Sequence, residues 1–151
     1  MIKFVPVNED NYRECFKLSV FESQKFFVAT NERSLAQAYI YKEKVEPYCI
    51  FNEDTMVGFI QFIPDDEDLT CMYLWRFMID QKYQGKGFGK EAMELFIENI
   101  KSRNQYQTIK LSYCPENTHA EKLYSLCGFT KTGVIDEGEV EMVLNLKDNK
   151  I

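Results

Sequence analysis

The chain has 151 residues, about one domain's length, with 45% apolar and 28% charged residues, which excludes a disordered or low-complexity polypeptide. Eighteen Lys and Arg against 24 Asp and Glu leave a net charge of −6 and a pI near 4.9, the wrong balance for a nucleic-acid binder but compatible with a cationic partner. Five cysteines, an odd number with no Cys-x-x-Cys pair, make neither a disulfide framework nor a zinc site, and most read as small buried hydrophobes in a reducing compartment.

Met1–Pro6 is too short an apolar run for a signal peptide, and no stretch approaches the ~20 residues that span a bilayer. The expectation is one cytoplasmic domain over residues 1–151, with no metal, no nucleic acid and no membrane partner.

In chain order, Ile2–Val7 reads as a strand. Asn8-Glu9-Asp10-Asn11 supplies capping and turn residues ahead of a helix from about Tyr12 into the region of Phe21. Ser34-Leu35-Ala36-Gln37 has the capping-box spacing and opens a second helix, which Pro47 must stop. Tyr48–Phe51 and Val57–Ile63 flank Asn52-Glu53-Asp54-Thr55 as a hairpin.

The acidic loop Asp65–Asp68 leads into a long strand, Cys71–Ile79, and Gln84-Gly85-Lys86-Gly87-Phe88-Gly89 breaks the pattern. A helix follows, with Met93, Phe96, Ile97 and Ile100 on one stripe. Thr108–Tyr113 is a strand stopped by Pro115, and Asn117–Cys127 is a helix that Gly128 ends. Phe129–Ile135 and Val140–Leu146 close the chain as strands around Asp136-Glu137-Gly138. This order fits an α/β fold: a single mixed, mostly antiparallel sheet flanked by helices.

The segment Gln84–Gly89 sits between a strand and a helix. Glycines there let the backbone approach a ligand closely, and the free N–H groups at the helix start favour an anion, with Lys86 and Lys90 adding positive charge. A P-loop needs Ser or Thr after Gly-Lys, and Glu91 follows Gly89-Lys90. Gly87-Phe88-Gly89-Lys90-Glu91-Ala92 matches the dinucleotide glycine spacing. That fold also needs an acid near the end of the next strand, where Leu111-Ser112-Tyr113-Cys114 has none, and more βα units than the remaining chain can form.

Gln84-x-x-Gly87-x-Gly89 resembles the pyrophosphate loop, Gln/Arg-x-x-Gly-x-Gly/Ala, of the GNAT superfamily of acetyl-CoA-dependent N-acetyltransferases. The second motif of that family is matched by Asn117-Thr118-His119-Ala120-Glu121-Lys122-Leu123-Tyr124-Ser125-Leu126-Cys127-Gly128-Phe129, and the element order agrees over nearly the whole chain. Phe27–Asn31 with Ser34-Leu35-Ala36, and Arg76–Asp80 before Tyr83–Gly87, look like the bacterial spermine/spermidine (diamine) acetyltransferases.

The resemblance implies a sheet that splits after Ile79, the fourth and fifth strands splaying with the pantetheine arm of acetyl-CoA between them. The backbone of Phe77, Met78 and Ile79 would meet the arm, Gln84, Gly85, Lys86, Gly87, Phe88, Gly89 and Lys90 would hold the pyrophosphate, and Asn117 would bind the arm. Asn117 also reads as a helix N-cap. Tyr124 matches the family tyrosine beside the sulfur, where a phenol of pKa ~10 can protonate the departing thiolate.

Trp75 stands where some relatives carry a glutamate base, so no base is assigned. His119, the single histidine, is expected at the surface. A cationic amine acceptor would need carboxylates, and those available in the first two helices and in the loop before the fourth strand are Glu14, Glu22, Glu43, Glu46 and Asp65–Asp68. Glu22, Glu43, Asp65 and Trp75 are the acceptor-side candidates. A polyamine or diamine is the expected acceptor. An aminoglycoside or streptothricin, a protein amine, and a non-catalytic acyl-CoA-binding sensor remain open alternatives. A homodimer is the assembly the resemblance implies.

Overall fold

A computed structural model describes residues 1–147; the last four residues of the expected domain lie outside them. The strands are β1 (Ile2–Pro6), β2 (Glu46–Asn52), β3 (Thr55–Pro64), β4 (Cys71–Ile79), β5 (Thr108–Tyr113), β6 (Thr130–Asp136) and β7 (Glu139–Asn145). The helices are α1 (Tyr12–Lys17), α2 (Asn31–Ile40), α3 (Phe88–Ser102) and α4 (Thr118–Leu126), with 3₁₀ turns at Glu22–Gln24 and Gln81–Tyr83.

The strands form one sheet in the order β1-β2-β3-β4-β5-β7-β6, antiparallel throughout except for the parallel pair β4–β5. Met93, Phe96 and Ile100 of α3 and Tyr124 of α4 pack with Phe62, Leu74 and Leu111 into the larger core. On the other face, Cys15 of α1 meets Cys49, Phe59 and Met78, with Leu35 of α2 packed against them. The predicted apolar stripe of α3 is the face it buries, except that Ile97 is only half-buried.

Two helices differ from their sequence reading. The first ends at Lys17, because Ser19 is drawn off as extended chain: its N–H donates to Asp80 Oδ1 at 2.7 Å and its carbonyl accepts from Gln81 N–H at 2.8 Å. The second starts at Asn31, not at Ser34. Thr30 is the cap, its Oγ1 accepting from Arg33 N–H at 3.2 Å, while Ser34 is buried in the helix and donates its hydroxyl to the Thr30 carbonyl. Pro47 lies inside β2, beyond the end of that helix.

The far edge of α3 is tied to β2 by a bidentate pair. Arg103 donates to both Glu46 oxygens, at 2.6 and 2.8 Å, and Tyr48 donates to Glu46 Oε1 at 2.7 Å. Burial alone would raise the Glu46 carboxyl, but the Arg103 and Tyr48 hydrogen bonds outweigh it and hold the group below its ordinary range. A depressed folded pKa contributes stability above the unfolded value of ~4.3, which is lost as pH falls through the folded value. Denaturant melts of the parent and Arg103→Met should therefore converge in strong acid and separate at neutral pH, with the variant less stable by about 1–3 kcal/mol.

Candidate active site

The ladder between β4 and β5 is short. It runs from Cys71↔Thr108 to Leu74↔Leu111, and β4 then continues to Ile79 with no partner on that side among the described residues. The sheet thus opens after Leu74, five residues before the expected point at Ile79. The cause is visible on the other side of β4: the β3 register slips between Gln61, opposite Arg76, and Phe62, opposite Leu74, leaving Trp75 as an extra, bulged residue.

Arg76 clamps that bulge. Its Nη1 donates to the Trp75 carbonyl at 3.1 Å and its Nη2 to Gln37 Oε1 of α2 at 2.7 Å. The guanidinium also lies 5.2 Å from the Trp75 ring centroid. Burial lowers its pKa from the usual range, and the neighbouring Arg33 acts in the same direction. Arg76→Met would strip two acceptors of their donor. Urea melts should show a loss of about 1–3 kcal/mol, and the slot should lose definition with it.

Below the opening lies a cavity of about 940 Å³. Phe77, Met78 and Ile79 line it from β4, and Gln84, Gly85, Gly87, Gly89 and Lys90 from the loop and the start of α3. Asn117, Ala120, Leu123 and Tyr124 line it from α4, and Leu111, Ser112 and Tyr113 from β5. The segment Val20 to Ala29 forms part of a further wall.

Gly85 and Gly87 have φ of 77° and 87°, left-handed backbone that a Cβ disfavours, whereas a Cβ on Gly89 would meet Leu123 at an ordinary 3.6 Å. The first two positions need glycine for the turn, and the third has room for alanine, as the motif allows. The N–H groups from Gly85 to Gly89 find no backbone acceptor among the described residues, which leaves them and the start of α3 free to receive an anion. Lys86 is exposed and lies 5.8 Å from the Tyr83 ring centroid, and the Phe88 ring packs against the larger core; neither borders the cavity. The Gln84 side chain is engaged within the protein, donating to the Ile79 carbonyl at 2.9 Å.

Asn117 accommodates both of its readings. Its Oδ1 accepts from Ala120 N–H at 3.2 Å as the cap of α4, while its Nδ2 has no partner among the described residues and the residue borders the cavity. Tyr124 is 7% exposed, with its ring against Tyr113 and Phe129. Burial raises its phenol well above the ordinary value, and the nearby Cys127 and Tyr73 act in the same direction. His119 is exposed, at the cavity rim.

The acceptor-side candidates are rearranged. Trp75 lines the cavity and packs edge-on against Tyr41. Glu22 is exposed and paired with Lys25, Glu43 lies on an exposed turn, and Asp65 follows the last residue of β3, its N–H donating to the Cys71 carbonyl at the far end of β4 from the opening; none borders the cavity. Glu46 is engaged with Arg103. The carboxylates that do line it are Glu137 and Glu139, at the β6–β7 turn. Tyr73 joins them, its phenol raised by burial and partly offset by the Ser112 hydroxyl beside it. The alternation along β7 was the available signal: Val140, Met142 and Leu144 face inward, so Glu139 and Glu141 share the opposite face.

The model of the acetyltransferase (GNAT) family matches residues 9–129. The chain belongs to this family. A spermine/spermidine N(1)-acetyltransferase of Bacillus subtilis (strain 168) is 32% identical over 154 residues, covering 96% of this chain and 99% of that protein. Among solved structures, the spermidine N-acetyltransferase of Vibrio cholerae in complex with CoA and spermine superposes with a TM-score of 0.77 at 15% identity, covering 96% of this chain and 95% of the other. An aminoglycoside acetyltransferase AAC(6')-Ib in complex with coenzyme A superposes with a TM-score of 0.80 at 16% identity and the same coverage. At those identities the likeness is one of fold: this GNAT acetyltransferase has the seven-stranded mixed sheet with the parallel β4–β5 pair. Among the described residues no helix is long and apolar enough to cross a membrane.

Proposed function

We propose that this enzyme transfers an acetyl group from acetyl-CoA to a primary amine of spermidine or spermine. The observation that carries the reading is the joining of three features in one cavity: the unpaired edge of β4 beyond Leu74, the glycine cradle at the start of α3, and the Glu137–Glu139 carboxylates. The near full-length resemblance to the Bacillus subtilis spermine/spermidine enzyme supports the acceptor class.

In this reading acetyl-CoA supplies the acetyl group as a thioester and carries off the thiolate. The backbone of Phe77, Met78 and Ile79 pairs with the pantetheine arm, and Asn117 Nδ2 donates to it. The N–H groups of Gly85 to Lys90 take the diphosphate, helped by the Lys90 ammonium. Tyr124 gives its phenolic proton to the departing sulfur. Glu137 and Glu139 attract the polycation and hold its distal ammonium while the reacting nitrogen, stripped of its proton through water, faces the slot. Trp75 closes the acceptor end as an apolar wall. The reading includes a homodimer in a reducing cytoplasm, in keeping with five free cysteines; sedimentation tests the assembly.

The test is thiol release with a panel of amines at saturating acetyl-CoA. Spermidine and spermine should give the highest kcat/KM, with kanamycin and a peptide amine at least tenfold lower. Kanamycin as the preferred substrate would move the enzyme to the antibiotic class. CoA binding without turnover of any amine would leave a sensor module, against which the position of Tyr124 argues.

A further inference from the structure

Between Ser19 and Ala29 the chain forms one wall of the cavity without regular structure beyond a single 3₁₀ turn. Among the described residues, every hydrogen bond from this strap to the rest of the protein ends on Asp80, Gln81 or Gln84. At Gln24 the contact is reciprocal: Gln24 Nε2 donates to Gln84 Oε1 at 3.1 Å, and Gln84 Nε2 donates to Gln24 Oε1 at 2.9 Å. Gln84 Nε2 also donates to the Ile79 carbonyl at 2.9 Å, and Gln24 Oε1 also accepts from Phe21 N–H at 3.1 Å.

Each amide is thereby fixed in orientation by partners on both sides. One chain of bonds runs from the strap, through Gln84, to the last residue of β4 and the first residue of the glycine loop. Apart from these bonds the strap is held by Val20 and Val28, which pack against the smaller core, and it carries Phe26, 94% exposed, at the cavity wall.

We propose that Gln24 and Gln84 are a positioning pair that couples the two substrate sites. A ligand that fixes the glycine loop fixes the Gln84 amide, and with it the wall on which the amine rests. An amine resting on the strap stiffens the loop in return, because such coupling is reciprocal in binding free energy. The inference rests on the reading above that the amine enters this cavity; contact with the strap is part of the proposal, because Phe26, Phe27 and Val28 line the same cavity as Trp75.

The test is calorimetric titration of CoA, which cannot react, into the protein with and without saturating spermidine. In the parent, spermidine should tighten CoA binding by about 5–10-fold, within the usual range of such couplings. In Gln24→Leu the ratio should fall to within about twofold of one, while CoA affinity without amine changes little and the spermidine KM rises by a similar 5–10-fold. Gln24→Glu replaces the donating Nε2 with an oxygen that faces Gln84 Oε1, so it should lose the ratio as Gln24→Leu does although it keeps the acceptor for Phe21 N–H. A pair that only supported the fold would lower the melting temperature of Gln24→Leu and leave the ratio intact. That result, or a parent ratio of one, overturns the proposal. Failure of the polyamine reading shows separately, in the amine panel, and the coupling is then measured with the amine that is acetylated; if none is acetylated, both fall.

Discussion

Tyr124→Phe is expected to lower kcat by about 10²–10⁴-fold, the usual worth of general-acid help, with the CoA dissociation constant almost unchanged. The split follows from where charge develops: the sulfur becomes anionic only as the C–S bond breaks, so a proton donor there acts on the transition state and not on binding. The ring should stay packed against Tyr113 and Phe129, and the hydroxyl has no hydrogen-bond partner among the described residues. Stability should accordingly move by less than about 1 kcal/mol.

The raised phenol pKa has a definite sign. A group whose folded pKa lies above its unfolded value of ~10 leaves stability unaffected below pH ~10 and costs stability as pH rises through the folded value. At the pH of any ordinary assay the donor therefore holds its proton, and Tyr124 should contribute no alkaline limb to the kcat profile below pH ~10. A thioester with a more acidic thiol should narrow the gap between parent and variant, since that leaving group needs less protonation. If Tyr124→Phe stays within a few-fold of the parent when chemistry is rate-limiting, Tyr124 returns to the core as a packing residue.

The second large effect belongs to the glycine loop. Acetyl-CoA should bind the parent with a micromolar dissociation constant, roughly −8 kcal/mol, and Gly87→Val should weaken it by about 100-fold or more. The backbone complicates the comparison. Gly87 has φ of 87°, so a valine there is strained by about 1–3 kcal/mol even though nothing lies within 4 Å of its Cβ. Gly133 provides the matched control. Its φ is 91°, its Cβ would also meet nothing, and it stands on the edge strand β6, outside the cavity lining. Gly133→Val should lose comparable stability and keep full CoA affinity. Equal affinities in two folded variants would remove the loop from the binding site.

Much of this was readable from local pattern. The long strand Cys71–Ile79 is β4 to the residue, and the glycine spacing marks the turn where φ is positive at Gly85 and Gly87. Asn117 and Gly128 bracket α4 as cap and terminator. The features that local pattern does not show depend on residues far apart in the chain. Ser34 carries a capping-box signature, but Thr30 occupies the cap, and only burial beneath the sheet face reveals Ser34 as a helix-interior residue.

The position of the sheet opening is set by the Trp75 bulge, a register slip that has no mark in the sequence of either strand. Chain order points to acceptor-side carboxylates in the first helices and the β3–β4 loop. The strand order β5-β7-β6 instead brings the last hairpin beside β5, so Glu137 and Glu139 reach the cavity; the alternation along β7 marks the face Glu139 shares with Glu141 and not which element that face meets. Gln24 carries no local signature for the same reason: its partner lies 60 residues on.

The most direct test of the account is a crystal structure of the protein with CoA bound. It should show the pantetheine arm lying along the free edge of β4 at Phe77–Ile79 and the diphosphate capped by the N–H groups of Gly85 to Lys90, with the sulfur next to the Tyr124 hydroxyl. CoA bound elsewhere, or β5 paired with β4 beyond Leu74 up to Ile79, would contradict it.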